Sequence, residues 1–203
     1  MSVAPYPEYK DSGVEWIGKI PAHWQFILLK RAIDFTTGWT PPTGRDELYE
    51  GDNAWATIGD MSSRVIKETA KTISDEAIRL AGIRPSYRGS LLFSLKLSIG
   101  HVAFVERDLY TNEAIATFPA NGGVELGFAY YAFPLFVTAN AAENIYGAKL
   151  LNQELIRNAR LVLPPPEEQS AIAAFLDQET GKIDALVAEQ ERLIALLKEK
   201  RQA

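Results

Sequence analysis

The pattern of apolar runs and turn residues predicts a domain rich in β-strands through the middle of the chain. Between residues 37 and 125, apolar runs of strand length occupy residues 54–58, 90–95 and 100–106, and clusters of Gly, Pro, Asn, Asp and Ser separate them. One short helix interrupts this region. Ser74 is a suitable N-cap, two acidic residues follow it, and Gly82 stands where the helix would end.

The pattern becomes helical after residue 126. Helices are predicted through "LGFAYYAF" and again in "NQELIRNARL". The longest apolar stretch, residues 126–142, is interrupted by Pro134 and Asn140 and is interpreted as a buried helix and the strand or turn after it. Residues 1–30 combine prolines and aromatic residues without a helical period, which predicts an extended N-terminal arm. For residues 26–36, a short helix and a strand are equally compatible with the sequence.

The last forty residues favour one long helix. The prolines at 164–166 precede a segment that holds a single glycine, Gly181, and is rich in Ala, Leu, Glu and Lys. Its apolar residues follow a heptad, and a polar residue within such a series fixes register. The residues expected to pair with a second helix are Leu176, Ile183, Leu186, Gln190, Leu193 and Leu197. The alternative is a helix lying along the core of its own domain.

These elements together predict the α+β class: a mostly β domain with short helices, followed by a long C-terminal helix of the coiled-coil type. The predicted division places the domain at residues 1–163, including the arm at 1–30, and the helix at 164–203. The three prolines are interpreted as a rigid joint between the two parts.

Composition and charge narrow the functional classes. The chain has no cysteine, which excludes disulfides and thiolate metal sites. The N-terminus lacks the pattern of a signal peptide and no apolar stretch of about 18 residues occurs, so a cytoplasmic protein that does not span a membrane is expected. The net charge is −5, yet residues 61–107 hold eight Lys or Arg against four acidic residues. This local basicity suits contact with nucleic acid phosphates, although a solvated charged surface explains it equally well.

Catalytic motifs are missing from the sequence. The two histidines, His23 and His101, lack metal-ligand spacing, and neither a nucleophile elbow nor a phosphate-binding loop is present. A nuclease or base methyltransferase signature is also lacking. The expectation is a binding module without catalysis, cofactor or metal.

Four stretches resemble the specificity subunits of type I restriction-modification enzymes. They are "YPEYKDSGVEWIGKIPAHW", "WATIGDM", "SIGHVAFVERDLYTNEAI" and, most specifically, "LPPPEEQSAIAAFLDQETGKIDALVAEQERLIALLKEKR". In that family a target recognition domain precedes a long conserved helix, the arrangement is repeated, and each domain reads one half of a bipartite DNA sequence. The resemblance implies a non-catalytic specificity subunit whose partners are double-stranded DNA, methyltransferase subunits and a motor-nuclease subunit.

The chain holds one such domain and one helix, so it is expected to be either part of a longer subunit or a natural half-subunit that pairs with a second copy through the helix. Carried over by position, the residues expected to contact DNA lie in loops of the recognition domain. They are Thr37, Gly38, Trp39, Thr40, Arg45, Arg64, Lys67, Arg88, Lys96, Tyr146 and Lys149. The competing hypothesis is a coiled-coil scaffold protein whose β-rich domain binds protein or carbohydrate.

Overall fold

The computed structural model describes residues 6–143, 145, 147 and 149–202, and it confirms the predicted α+β class. The strands are β1 (Tyr9–Asp11), β2 (Lys19–Pro21), β3 (Gln25–Leu28), β4 (Thr36–Thr37), β5 (Asn53–Ala56), β6 (Val65–Ile66), β7 (Lys71–Ile73), β8 (Leu91–Ser94), β9 (Val102–Val105), β10 (Tyr110–Thr111), β11 (Ile115–Phe118), β12 (Ala142–Glu143), β13 (Lys149–Leu150) and β14 (Arg160–Leu163). The helices are α1 (Asp75–Ala81), α2 (Leu126–Phe136), α3 (Gln153–Arg157) and α4 (Pro166–Gln202). Short 3₁₀ turns cover Leu29–Arg31, Asp46–Leu48, Ile58–Asp60 and Thr138–Asn140.

A five-stranded sheet in the order β4-β11-β8-β9-β6 forms the centre of the domain. All its pairs are antiparallel except β6 with β9. Because successive side chains of a strand point to opposite faces, Leu91 and Phe93 of β8 face one core while Leu92 faces another. The sheet is therefore buried on both faces, which explains why its strands β8, β9 and β11 are largely apolar along their length.

Helix α2 covers one face of the sheet, where Phe118 and Phe133 pack with ring centroids 4.7 Å apart. A three-stranded sheet in the order β10-β5-β7 covers the other face, mainly through small residues such as Ala54 and Ala56. A third, smaller cluster surrounds Trp55 beneath α1. The domain thus has three layers, which are α2, the central sheet and the three-stranded sheet, and α1 packs on the outer cluster around Trp55.

The predicted short helix is confirmed as α1. The Ser74 hydroxyl accepts a hydrogen bond from the backbone N–H of Ala77 at 3.3 Å, as an N-cap should. Gly82 ends the helix with φ 60°, in the left-handed region that glycine adopts most readily.

Two predicted helices are present, and the structure fixes their ends. The helix predicted in "NQELIRNARL" is α3, which stops at Arg157, and residues from Arg160 form β14, which pairs with β3. A pairing with a strand from the other end of the chain overrides the local helical pattern here. Conversely, α2 does not break at Pro134 but continues to Phe136. Pro134 lies in the last turn, where its missing N–H costs one backbone hydrogen bond and the helix ends soon afterwards.

The N-terminal segment, predicted as an extended arm, forms short paired strands. Strands β1 and β2 form a hairpin, and β3 then enters a two-stranded sheet with β14. Ile20 is buried, and the ring of Trp16 lies 5.5 Å from that of Phe136 at the end of α2. This segment is therefore attached to the domain along its length. Among the described residues, no helix combines the length and apolarity that crossing a membrane requires.

Candidate nucleic-acid interface

Part of the predicted contact set meets at one end of the central sheet. Strands β4 and β8 both end there, opposite the start of β11, because Thr37 pairs with Ala116 and Ser94 with Ile115. The connections that follow therefore leave the sheet side by side. We call the set formed by residues 37–40, residues 95–101 and Glu113 the loop cluster.

Side-chain hydrogen bonds link the members of the loop cluster. The carboxylate of Glu113 accepts a hydrogen bond from the Thr40 hydroxyl and lies 3.2 Å from the Lys96 ammonium. These two donors hold the pKa of Glu113 below its usual value. The Gln153 amide of α3 donates to the Thr37 hydroxyl at 2.9 Å. Since α3 follows β13 directly, the predicted residue Lys149 lies on the strand that leads into this contact, where it is exposed.

Two residues of the loop cluster are constrained by packing. A Cβ on Gly38 would lie 1.7 Å from the carbonyl oxygen of Thr111, so only glycine fits where this segment passes β10. The Trp39 side chain packs against the cluster around Trp55, whose indole N–H donates to the Trp39 carbonyl at 3.1 Å. Thr37 and Thr40 are therefore the polar groups that this segment offers to a ligand.

The opposite end of the sheet holds a separate group of cations. Arg88 precedes β8 and Lys67 follows β6, so both lie away from the loop cluster. The exposed side chains of Arg84 and Arg107 flank the same region, and none of these four cations has an ion-pair partner among the described residues. Two of the predicted DNA contacts, Lys67 and Arg88, thus lie at the end of the sheet opposite the loop cluster.

Arg45 is engaged by two carboxylates of its own domain. Its guanidinium bonds the carboxylate of Glu47 and lies 3.2 Å from that of Glu76 on α1, so its charge is matched within the domain. Tyr146 lies outside the described residues.

Arg64 is occupied by a contact with the long helix. Its guanidinium lies 2.6 Å from the Asp177 carboxylate of α4 and stacks 4.6 Å from the centroid of the Tyr130 ring. The Tyr131 hydroxyl also donates to Asp177 at 2.6 Å. Hydrogen bonds from Tyr131 and Arg64 together hold the pKa of Asp177 below its usual value. This geometry makes Arg64 a link between the domain and α4, while a contact from it to DNA stays a prediction.

The first turns of α4 contain two residues that sequence reasoning missed. Gln169 is only 2% exposed; its amide accepts from the Glu125 N–H at 2.9 Å and donates to the Pro164 carbonyl at 2.8 Å. The Glu168 carboxylate accepts hydrogen bonds from the Tyr6 hydroxyl at 2.7 Å and the Trp24 indole at 2.9 Å. It also lies 2.6 Å from the His23 ring. Nothing in a local pattern marks these residues, because all their partners except Pro164 are distant along the chain.

Beyond residue 181 the helix leaves the domain. Leu176 is half-buried, but every described side chain from Gly181 onward is exposed. This includes Ile183 at 59% and Leu186 at 60%, together with Leu193 and Leu197. The predicted seam therefore forms an apolar stripe without a partner in the described chain. No group of His, Asp and Glu that could hold a metal ion occurs among the described residues.

Comparisons with known proteins agree with this architecture. Residues 21–194 match the family model described as the type I restriction modification DNA specificity domain. The specificity subunit of the type I restriction enzyme MjaIX from Methanocaldococcus jannaschii is 27% identical over 175 residues, which span 83% of this chain and 40% of that protein. The chain thus spans less than half the length of this curated relative.

Two solved structures share the fold. A chain from work on complex assembly and conformational transition of the type I R-M system is 20% identical, with a TM-score of 0.72, over 94% of this chain and 46% of that one. The HsdS subunit from Thermoanaerobacter tengcongensis is 19% identical, with a TM-score of 0.66, over 90% of this chain and 42% of that one.

Proposed function

Since the chain belongs to the type I restriction modification DNA specificity family, we propose that it reads one half-site of a bipartite DNA sequence for a type I restriction-modification system. The family match over residues 21–194 is the observation that carries this proposal. In this role the chain is non-catalytic, works in the cytoplasm, and directs methyltransferase and motor-nuclease subunits to their target.

The loop cluster is the proposed reading surface. It presents hydroxyl and ammonium groups on connections that leave a rigid sheet, and such groups bond to base edges and phosphates. The Glu113 carboxylate, itself anionic, keeps Thr40 and Lys96 in fixed positions. A base edge that enters between them meets the remaining N–H groups of Lys96 and the Thr40 oxygen as an acceptor, all already oriented, which favours specificity over non-specific affinity.

The exposed stripe on α4 is the proposed pairing surface. Two copies that pair through Ile183, Leu186, Leu193 and Leu197 would hold two recognition domains apart on a helix pair. A symmetric pair reads an interrupted palindrome whose half-sites lie roughly one helical turn of DNA apart. The contacts between α4 and the domain would fix the positions of the two reading surfaces.

Selection of duplexes from a random pool tests the proposal, with the chain alone and mixed with type I methyltransferase subunits. We expect a bipartite consensus and a steep salt dependence, with a slope of about one unit per phosphate contact. Lys96→Ala should lower affinity for the selected duplex and reduce that slope by about one. Lys182→Ala, on the exposed part of α4, is the matched control and should change neither.

Failure to select any sequence, in both conditions, would contradict the proposal. It would favour the scaffold hypothesis, in which the β-rich domain binds protein or carbohydrate. If Lys182→Ala reduces the salt slope as much as Lys96→Ala does, DNA binding is not centred on the loop cluster.

A further inference from the structure

The turn between β8 and β9 holds an unusual leucine. Leu97 has φ 58°, which makes it the non-glycine residue with a positive φ in the described part of the chain. Its side chain is 92% exposed, so it is also the most exposed of the large apolar residues described. A leucine in the left-handed region is strained because its Cβ crowds the following carbonyl. No packing contact offsets that strain.

The turn that carries Leu97 is rigidly braced. The Ser94 hydroxyl donates to the Ser98 carbonyl, and the backbone N–H of Gly100 donates to the Ser94 carbonyl at 3.2 Å. The His101 N–H donates to the Ser98 carbonyl at 3.2 Å, and the Leu95 N–H donates to the Ala114 carbonyl at 2.7 Å. Both ends of the turn are therefore fixed to the sheet. The backbone of Leu97 is therefore held at a defined position, and its side chain projects from the turn.

The surroundings of Leu97 are polar. Lys96 precedes it and is bonded to Glu113, which in turn accepts from Thr40. A leucine that docks on a protein partner is normally the centre of an apolar patch, whereas this one projects from among hydroxyl, ammonium and carboxylate groups. An isolated aliphatic side chain among polar groups matches the way in which DNA-bending proteins insert Leu, Ile or Phe between base pairs.

We propose that Leu97 is a DNA wedge: its side chain inserts between two neighbouring base pairs of the bound duplex and partly unstacks them. The inference rests on the proposed function and adds to it a contact that none of the residues expected from the sequence supplies. Insertion buries the leucine side chain against base faces, which is the burial that the fold itself does not provide. It also makes affinity depend on how easily the step unstacks, so the wedge favours flexible pyrimidine-purine steps.

The test uses the selected duplexes with 2-aminopurine placed in turn at each step of the half-site. Binding of the parent should raise fluorescence strongly at one step, because unstacking relieves the quenching of this base analogue. Leu97→Gly and Leu97→Asn should abolish that rise and weaken binding by about tenfold to a hundredfold. Both substitutes adopt a positive φ more readily than leucine, so their thermal midpoints should equal or exceed that of the parent.

DNA affinity should therefore fall while the thermal midpoint stays equal or rises. A leucine with only a structural role would not show this combination. Leu97→Met should retain most of the fluorescence rise, and Leu80→Asn, at an exposed leucine of α1, should behave as the parent. If the parent binds its duplex and Leu97→Asn binds equally with the same fluorescence, the wedge is overturned while the proposed function stands. Loss of methyltransferase association with unchanged DNA binding would also overturn it and assign Leu97 to a protein partner. A parent that selects no DNA overturns both.

Discussion

The two halves of α4 share one helix but have opposite surroundings. From Pro166 to Thr180 its inner side is tied to the domain through Gln169, Ala173 and Asp177, while Glu168 holds the N-terminal segment. From Gly181 onward every described side chain is exposed, although the apolar residues recur with the same heptad spacing. The difference teaches that one sequence period serves two purposes. The first half ties the helix to the domain, and the second half presents the exposed apolar stripe that we propose as a pairing surface.

The largest effect is expected from a double substitution in the second half of α4, and it concerns self-association. Leu186→Asp combined with Leu193→Asp would bury four carboxylates in a pair of helices, so self-association should weaken by about 4 kcal/mol or more, roughly a thousandfold. Both residues are exposed in the single chain, so domain stability should change by no more than about 0.5 kcal/mol. Sedimentation velocity gives the association state and thermal unfolding gives the stability.

Ala185→Asp combined with Ala188→Asp is the control for that variant. It adds the same charge to the outer side of the same stretch of helix, where a paired seam would not reach. The seam is not the interface if the leucine variant sediments as the parent does. Equal dissociation of the two variants would instead point to a general effect of charge.

A single change at the base of α4 should give the next largest effect, and it acts on the first half. Gln169→Leu keeps the volume but leaves the Glu125 N–H and the Pro164 carbonyl without their partner in a buried place. Each lost hydrogen bond of this kind costs about 1–3 kcal/mol, so the domain should lose about 2–4 kcal/mol. Urea unfolding measures the loss. Gln178→Leu, on the exposed side of the same helix, should change stability by less than about 0.5 kcal/mol.

Equal losses in the two glutamine variants would show that the buried amide of Gln169 does not set the cost, since leucine forms helices as readily as glutamine. The same experiment bears on the three prolines. They were interpreted as a rigid joint, and in the structure the Pro164 and Pro165 carbonyls accept hydrogen bonds from the first turn of α4. The joint therefore depends on Gln169 as well as on the fixed backbone of proline.

Local patterns predicted most of the fold because they report elements that form from neighbouring residues. The strands β5, β8 and β9, the capped helix α1 and the existence of α4 all follow from apolar period and capping residues. The family resemblance, carried by motifs at both ends of the chain, is confirmed. Strand β14 was missed because its partner β3 lies at the far end of the chain, and no local period reports such a pairing.

The candidate site was predicted less completely, for a related reason. Residue type says that Arg64 and Lys96 carry charge, but only the fold shows that Arg64 is engaged by α4 while Lys96 stands in the loop cluster. Gly38 and Trp39 were selected from a polar and aromatic motif, yet tertiary packing now explains both. Nothing in the sequence marks Leu97, because its left-handed backbone conformation is visible only in the structure.

The smallest expected effect concerns the N-terminal segment, which the first half of α4 holds and the second half does not. The hydrogen bond to Glu168 raises the pKa of Tyr6 to about 12 from its ordinary 10.0, and the same bond, with His23 and Trp24, lowers the pKa of Glu168. For Tyr6 the stabilisation is complete below pH 10 and is lost as pH rises towards about 12, because the unfolded chain releases its proton first. For Glu168 it is present above the ordinary pKa of 4.5 and is lost as pH falls through the lowered value.

Phenolate absorbance against pH measures this contact directly. In Glu168→Gln the carboxylate charge is gone, so one phenol that ionises near pH 12 in the parent should ionise nearer pH 10. Tyr6→Phe should remove that same phenol from the titration, and Glu167→Gln, at the exposed neighbouring position, should leave the curve of the parent unchanged. Circular dichroism recorded in parallel separates ionisation in the folded protein from global unfolding. An identical titration for Glu168→Gln and the parent would mean that Glu168 does not hold the N-terminal segment in solution, and the helix direction would then depend on the contacts of Gln169, Ala173 and Asp177.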